Sequence, residues 1–183
     1  TDSERRESDF SVLITIAIDS DSNIYVLDYI RKRGLPVLAI LGEDKKGIVD
    51  YVFEQNSIFK PRLIVIEDTT MSRPVFQSII SEMRRRNDFT VKVKQEKPGT
   101  RMSKRDRIQE ILAQRMAIGA VKIKKTHYDL QHEIITFGPR MAHDDTVDAL
   151  AYSVKYSTPP TGIESSKGTY RKVVQMPRSW VIA

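Results

Sequence analysis

Two hydrophobic periods alternate along this chain of 183 residues. Phe10–Ile18 reads FSVLITIAI, a nearly continuous apolar run rich in β-branched residues, which predicts a buried strand. The turn cluster Asp19-Ser20-Asp21-Ser22-Asn23 separates it from IYVLDY at residues 24–29, so the two runs read as a hairpin. A third extended piece is expected at 35–41. Ile48, Val49, Val52 and Phe53 recur at helical spacing and predict a helix over 45–59, ended by Pro61. Leu63-Ile64-Val65-Ile66 is short and wholly apolar, as a buried parallel strand would be. Pro74 opens a second helix with Val75, Ile79, Ile80 and Met83 as its stripe. Residues 89–94 alternate as FTVKVK, a half-buried or edge strand. Ser103 and Asp106 have the spacing of a capping box, starting a helix whose stripe is Ile108, Ile111, Leu112 and Met116. A short strand at 120–124, a helix at 128–137 and a helix at 146–156 follow. Strands first, then helix and strand in alternation, imply an α/β domain with a mixed sheet.

Length and composition narrow this picture. One domain over residues 1–157 is expected, with 158–183 as an irregular or surface-docked tail. The absence of cysteine excludes disulfide scaffolds, thiolate zinc sites, iron–sulfur clusters and cysteine nucleophiles. No apolar run approaches the roughly 20 residues of a membrane span, and no charged-then-apolar leader opens the chain. A soluble, non-secreted protein is therefore expected.

The net charge of +6 is unevenly spread. Residues 84–107 hold ten basic side chains against three acidic ones, which leaves the remainder slightly acidic. Such a stripe suggests a polyanion, most simply nucleic acid, although a solvated face of lysines and arginines has the same composition. Arg84, Arg85, Lys94, Arg101, Lys104, Arg105 and Arg107 are its candidate DNA contacts.

Acidic residues mark the candidate chemistry. Glu67 and Asp68 directly follow an apolar strand, where α/β sheets gather their sites, and where turn-forming residues also collect. His143-Asp144-Asp145-Thr146-Val147-Asp148 places three carboxylates within five residues at a helix start. One of them is accounted for as an N-cap; three exceed what a cap requires, and they repel one another without a cation or basic partner. That combination favours a hard metal held by oxygen. The segment from Asp2 to Asp9 offers a third group of carboxylates or a charged, frayed terminus. Separated carboxylates together with a basic stripe suit metal-assisted phosphodiester hydrolysis. Gly42 to Gly47 lacks the Lys-Ser/Thr ending of a phosphate loop, no GxSxG elbow is present, and His127 and His132 are not spaced for zinc.

In these residues the chain resembles the C-terminal nuclease domain of tailed-bacteriophage large terminase subunits, of the RNase H-like superfamily. The likeness covers roughly residues 2–157. It runs from Ser8-Asp9-Phe10-Ser11 through Tyr25-Val26-Leu27-Asp28 and Ile64-Val65-Ile66-Glu67 to the helix opened by Lys104. Its most specific string is His143-Asp144-Asp145-Thr146-Val147-Asp148-Ala149-Leu150. The resemblance implies an RNase H-like mixed β-sheet flanked by helices and a metal-dependent endonuclease that cuts double-stranded viral DNA during genome packaging. Glu67, Asp144 and Asp145 would be its catalytic carboxylates, with Asp2 in the first position and Asp148 as a further ligand of two Mg²⁺ or Mn²⁺ ions. Asp9, Asp68 and His143 would lie around them. It also implies an ATPase motor domain elsewhere in a longer polypeptide, a portal protein and a small terminase subunit as partners, and work in the host cytoplasm at the procapsid portal. A junction resolvase or transposase of the same superfamily, and a DNA-binding module without catalysis, are the alternatives.

Overall fold

The computed structural model describes residues 10–40, 42, 45–97, 102–139, 143–160 and 180–182. Its elements run β1 (Phe10–Ile18), β2 (Ile24–Arg33), α1 (Ile48–Phe59), β3 (Ile64–Glu67), α2 (Arg73–Arg86), β4 (Val93–Glu96), α3 (Lys104–Ala117), β5 (Val121–Lys124), α4 (Tyr128–Ile135), α5 (Asp145–Tyr156) and β6 (Trp180–Ile182). The molecule is a mixed α/β protein whose larger sheet is ordered β1-β2-β5-β6, with β3 and β4 as a separate parallel pair. β2 and β5 pair in parallel, while β5 and β6 pair antiparallel, so the larger sheet is mixed.

The hairpin turn follows from its acids. The Asp19 carboxylate accepts from the Asp21 and Asn23 backbone N–H groups at 3.0 and 2.8 Å, and from the Asn23 amide and Tyr25 hydroxyl, each at 3.0 Å. That satisfies the turn locally, as Asx turns do.

Contacts divide the chain into two compact units, and both hairpin strands run through both of them. The first unit joins the chain up to Thr15 with Ile30–Met102. Its core is Val49, Val52 and Phe53 of α1, Ile79 of α2 and Val91, packed with Leu13, Ile64, Ile66 and Val93. β3 and β4 pair from Ile64↔Val93 to Glu67↔Glu96. The Arg86 guanidinium lies over the Phe53 ring and reaches Asp50 at 3.3 Å, tying α2 to α1.

Two expected strands differ here. Over 35–40 the chain forms no strand; the Pro36 and Val37 carbonyls instead accept from the Ile48 and Val49 N–H groups at 2.8 and 3.1 Å. Gly47 permits this close approach, since a Cβ there would lie 2.4 Å from the Leu38 carbonyl carbon. Leu41 lies outside the described residues. β4 begins at Val93 rather than Phe89, because Asp88 accepts from the Thr90 N–H at 3.0 Å and its hydroxyl at 2.6 Å, drawing 88–90 into a turn.

The second unit joins Ile16–Tyr29 with the chain from Ser103 onward. Ile24, Val26, Val121 and Ile123 are buried on its strands, and Ile108, Leu112, Leu130, Leu150, Ala151 and Val154 on its helices. α5 packs against both α3 and α4. The tail contributes β6, whose backbone pairs Trp180–Ile182 with Lys124–Lys122. Among the described residues no helix is long and apolar enough to cross a membrane.

Candidate functional site

The head of α5 holds the largest group of sequence-predicted site residues. Asp144 is the residue before the helix, and Asp145 and Asp148 lie in its first turn. Asp144 does not cap α5: no side-chain cap hydrogen bond is formed there. The cap comes from Glu133 on α4, a carboxylate only 3% exposed. One of its oxygens accepts from the Thr146 and Val147 N–H groups at 2.8 and 3.0 Å, and the other from the Thr146 hydroxyl at 2.9 Å. A buried carboxylate at the positive end of a helix dipole satisfies the first-turn donors that would otherwise need a local cap.

The three aspartates are therefore available to other partners, and α3 supplies them. The Lys104 ammonium lies 2.6 Å from Asp144, 3.5 Å from Asp148 and 3.9 Å from Asp145. The Arg107 guanidinium, 13% exposed, reaches the other Asp148 oxygen at 2.8 Å. Lys104 and Arg107 stand three apart on α3, so both face α5 from adjacent turns. Burial works against the Lys104 charge, but the hydrogen bond to Asp144 and the charges of Asp148, Asp144 and Asp145 outweigh it and hold its pKa above the ordinary value. His143 directly precedes this group and is half-buried.

Glu67 and Asp68 end β3 in the first unit. The Ser72 hydroxyl donates to the Glu67 carbonyl, and the Asp68 N–H donates to the Glu96 carbonyl at 2.7 Å. The Asp68 carboxylate accepts from Arg73 at 3.0 Å, an exposed local pair. Parallel register sets Glu96 beside Glu67, so two glutamates end neighbouring strands. Each of the two units thus carries its own acidic group. Asp2 and Asp9 lie outside the described residues.

The basic stripe divides between the units. Arg85 forks onto Glu82 at 2.6 and 2.7 Å, Arg86 joins the same carboxylate, and Lys94 pairs with Glu96. Those arginines hold Glu82 well below the usual carboxylate range, at about 2. Lys104 and Arg107 face the α5 aspartates, while Arg84 and Arg105 are exposed on α2 and α3. Arg101 lies outside the described residues. Much of the stripe's charge is therefore matched within the protein.

Sequence reasoning misses Glu133 and Glu96. Glu133 lies 13 residues before Thr146, and no capping spacing points to it. Glu96 is found only through the β3–β4 register.

Carboxylate oxygens suit Mg²⁺ or Mn²⁺, so the donor chemistry at α5 fits a hard cation. Among the described residues, no group of three or more His, Asp or Glu side chains is arranged to hold a metal ion. At α5 the charge focus is taken by the Lys104 ammonium. Compared with protein-family models, curated proteins and solved structures, the chain matches none.

Proposed function

We propose that this protein is a metal-dependent endonuclease with an RNase H-like fold, cleaving double-stranded DNA by phosphodiester hydrolysis in the manner of a terminase nuclease domain. The observation that carries this reading is the head of α5. Its three aspartates are released from capping by Glu133 and drawn together by Lys104 and Arg107. With the cap supplied from Glu133, three acids are collected at one point, facing Lys104 and Arg107.

In this reading Glu67, Asp144 and Asp145 are the catalytic carboxylates, Asp148 is a further ligand, and Asp2 fills the first position. Two Mg²⁺ or Mn²⁺ ions, when bound, supply activated water and stabilise the leaving oxygen. Exposed Arg84 and Arg105 offer charge to phosphates without reading sequence. The motor domain, portal protein and small terminase subunit belong to the same proposal, as does work in the host cytoplasm.

The test is nicking of supercoiled plasmid in Mn²⁺ or Mg²⁺. Asp145→Ala and Glu67→Ala are each expected to abolish metal-dependent cleavage while the protein remains folded. Undiminished cleavage by both variants overturns the reading. A second reading, DNA binding without cleavage, is favoured by the ammonium at the charge focus; salt-sensitive binding with no metal-dependent nicking by the wild type would establish it.

A further inference from the structure

We propose that the end of β2, with the aromatic rings that support it, is the surface on which the sugar–phosphate backbone of double-stranded DNA is held. This rests on the action on DNA proposed above, and it names where the duplex is gripped, apart from the acids that would cut it.

The charge is concentrated here. Residues 31–46 carry five basic side chains against two acidic ones, a local charge of +3 outside the 84–107 stripe. Arg31, Lys32 and Arg33 are consecutive and end β2. A run of three cations at one edge of a fold attracts a polyanion.

The way these cations are held favours a phosphate backbone as the partner. Strand alternation puts Arg31 and Arg33 on one face of β2 and Lys32 on the other. Both guanidiniums lie over the Phe10 ring, at 3.4 and 4.3 Å from its centroid. The Lys32 ammonium lies 4.8 Å from the centre of the Tyr51 ring on α1 and donates to its hydroxyl. Lys46 lies over the same ring at 5.7 Å and also reaches Glu54 at 2.9 Å. Two rings thus steady four cations, and all of these residues belong to the first unit.

A π face attracts a cation but brings no net negative charge to cancel it. The 84–107 stripe is arranged differently. Arg85 and Arg86 share Glu82, Lys94 pairs with Glu96, and Lys104 and Arg107 face the α5 aspartates, so carboxylates offset charge there. At the end of β2, Phe10 and Tyr51 are half-buried, while Lys32, Arg33 and Lys46 are exposed. The rings are fixed in the fold and the charges stand at its surface. Support of this kind limits the side-chain freedom that a long cation loses on meeting a phosphate. Such contacts position the backbone without reading bases.

The experiment measures binding of a fluorescein-labelled, blunt-ended DNA duplex by fluorescence anisotropy, in EDTA and over a series of salt concentrations. The double variant Lys32→Gln, Arg33→Gln is expected to bind about tenfold more weakly and to lower the salt slope by about two. The control double variant Lys125→Gln, Lys155→Gln removes the same charge from exposed positions elsewhere, and its affinity is expected to stay within about twofold. Phe10→Leu keeps every cation but removes a supporting ring, and is expected to weaken binding about threefold. Lys32→Glu repeats the test should the first double variant fold poorly. Wild-type binding that is undiminished in the Lys32 variants overturns this proposal and leaves the nuclease reading standing, as does an equal loss in the control. Full affinity in Phe10→Leu also overturns it, because the ring would then support nothing. Wild type that nicks plasmid without binding the duplex overturns this proposal alone, and wild type that does neither overturns both.

Discussion

Helices α3 and α5 pack against each other, yet they begin in opposite ways. α3 is capped from within its own sequence: the Ser103 hydroxyl accepts from the Asp106 N–H at 3.2 Å and donates to the Asp106 carboxylate at 2.7 Å. α5 has an aspartate in the cap position and two more in its first turn, but its donors are satisfied by Glu133 on another helix. At α3 the acid serves the helix; at α5 the acids are left for something outside it. Acids at a helix start thus say little until the partner of the first N–H groups is known.

The largest expected effect comes from breaking the remote cap. Glu133→Ala leaves two first-turn N–H groups and a hydroxyl without their acceptor in a buried place, which should cost about 3 kcal/mol in urea denaturation. Ser103→Ala at the local cap should cost about 1 kcal/mol. Equal losses would remove the distinction between the two helix starts.

Asp144→Ala sharpens the comparison from the other side. If Asp144 played the ordinary cap role, its loss would cost about 1 kcal/mol. As it makes no cap, and its ion pair with Lys104 is partly exposed, the expected change is below about 0.5 kcal/mol. A cap-sized loss would return this aspartate to a structural role.

The smallest effect concerns a third helix start. His127 is the residue before α4; it forms no side-chain cap and packs edge-on against the Tyr29 ring, with centroids 5.1 Å apart. Burial first, and the Lys124 charge second, push its pKa below the ordinary 6.5, against a weaker pull from Asp28. The folded state therefore binds this proton less readily than the unfolded chain. Its contribution to stability is complete above about pH 6.5 and is lost as pH falls through the lower folded value. The urea midpoint of the wild type should drop more between pH 7.5 and pH 5.5 than that of His127→Phe. An identical drop in both would dissociate His127 from the acid sensitivity.

The elements were legible where the signal was local. The β1 run, the 19–23 turn, the Ser103–Asp106 box and the stripe of α5 each carry their information within a few residues. What stayed hidden depends on partners distant in sequence. The 35–40 segment has a strand-like composition, but its carbonyls serve the first turn of α1. β6 is three residues long and defined only by its pairing with β5. The candidate site shows the same division. The Asp144-Asp145-Asp148 cluster was visible as spacing, whereas its ammonium stands 40 residues away and the carboxylate that frees it sits on a third helix. The stripe at 84–107 looked continuous as a string, but it is shared between two units and much of it is matched by Glu82, Glu96 and the aspartates.

The close approach at Gly47 has a consequence for proton exchange with solvent. First-turn amides of a helix usually lack partners and exchange freely. Here the Ile48 and Val49 amides are bound to the Pro36 and Val37 carbonyls, and Val49 is fully buried. The slow-exchanging part of α1 is therefore expected to begin at its first residue, with the chain ahead of it opening together with the helix rather than fraying from it.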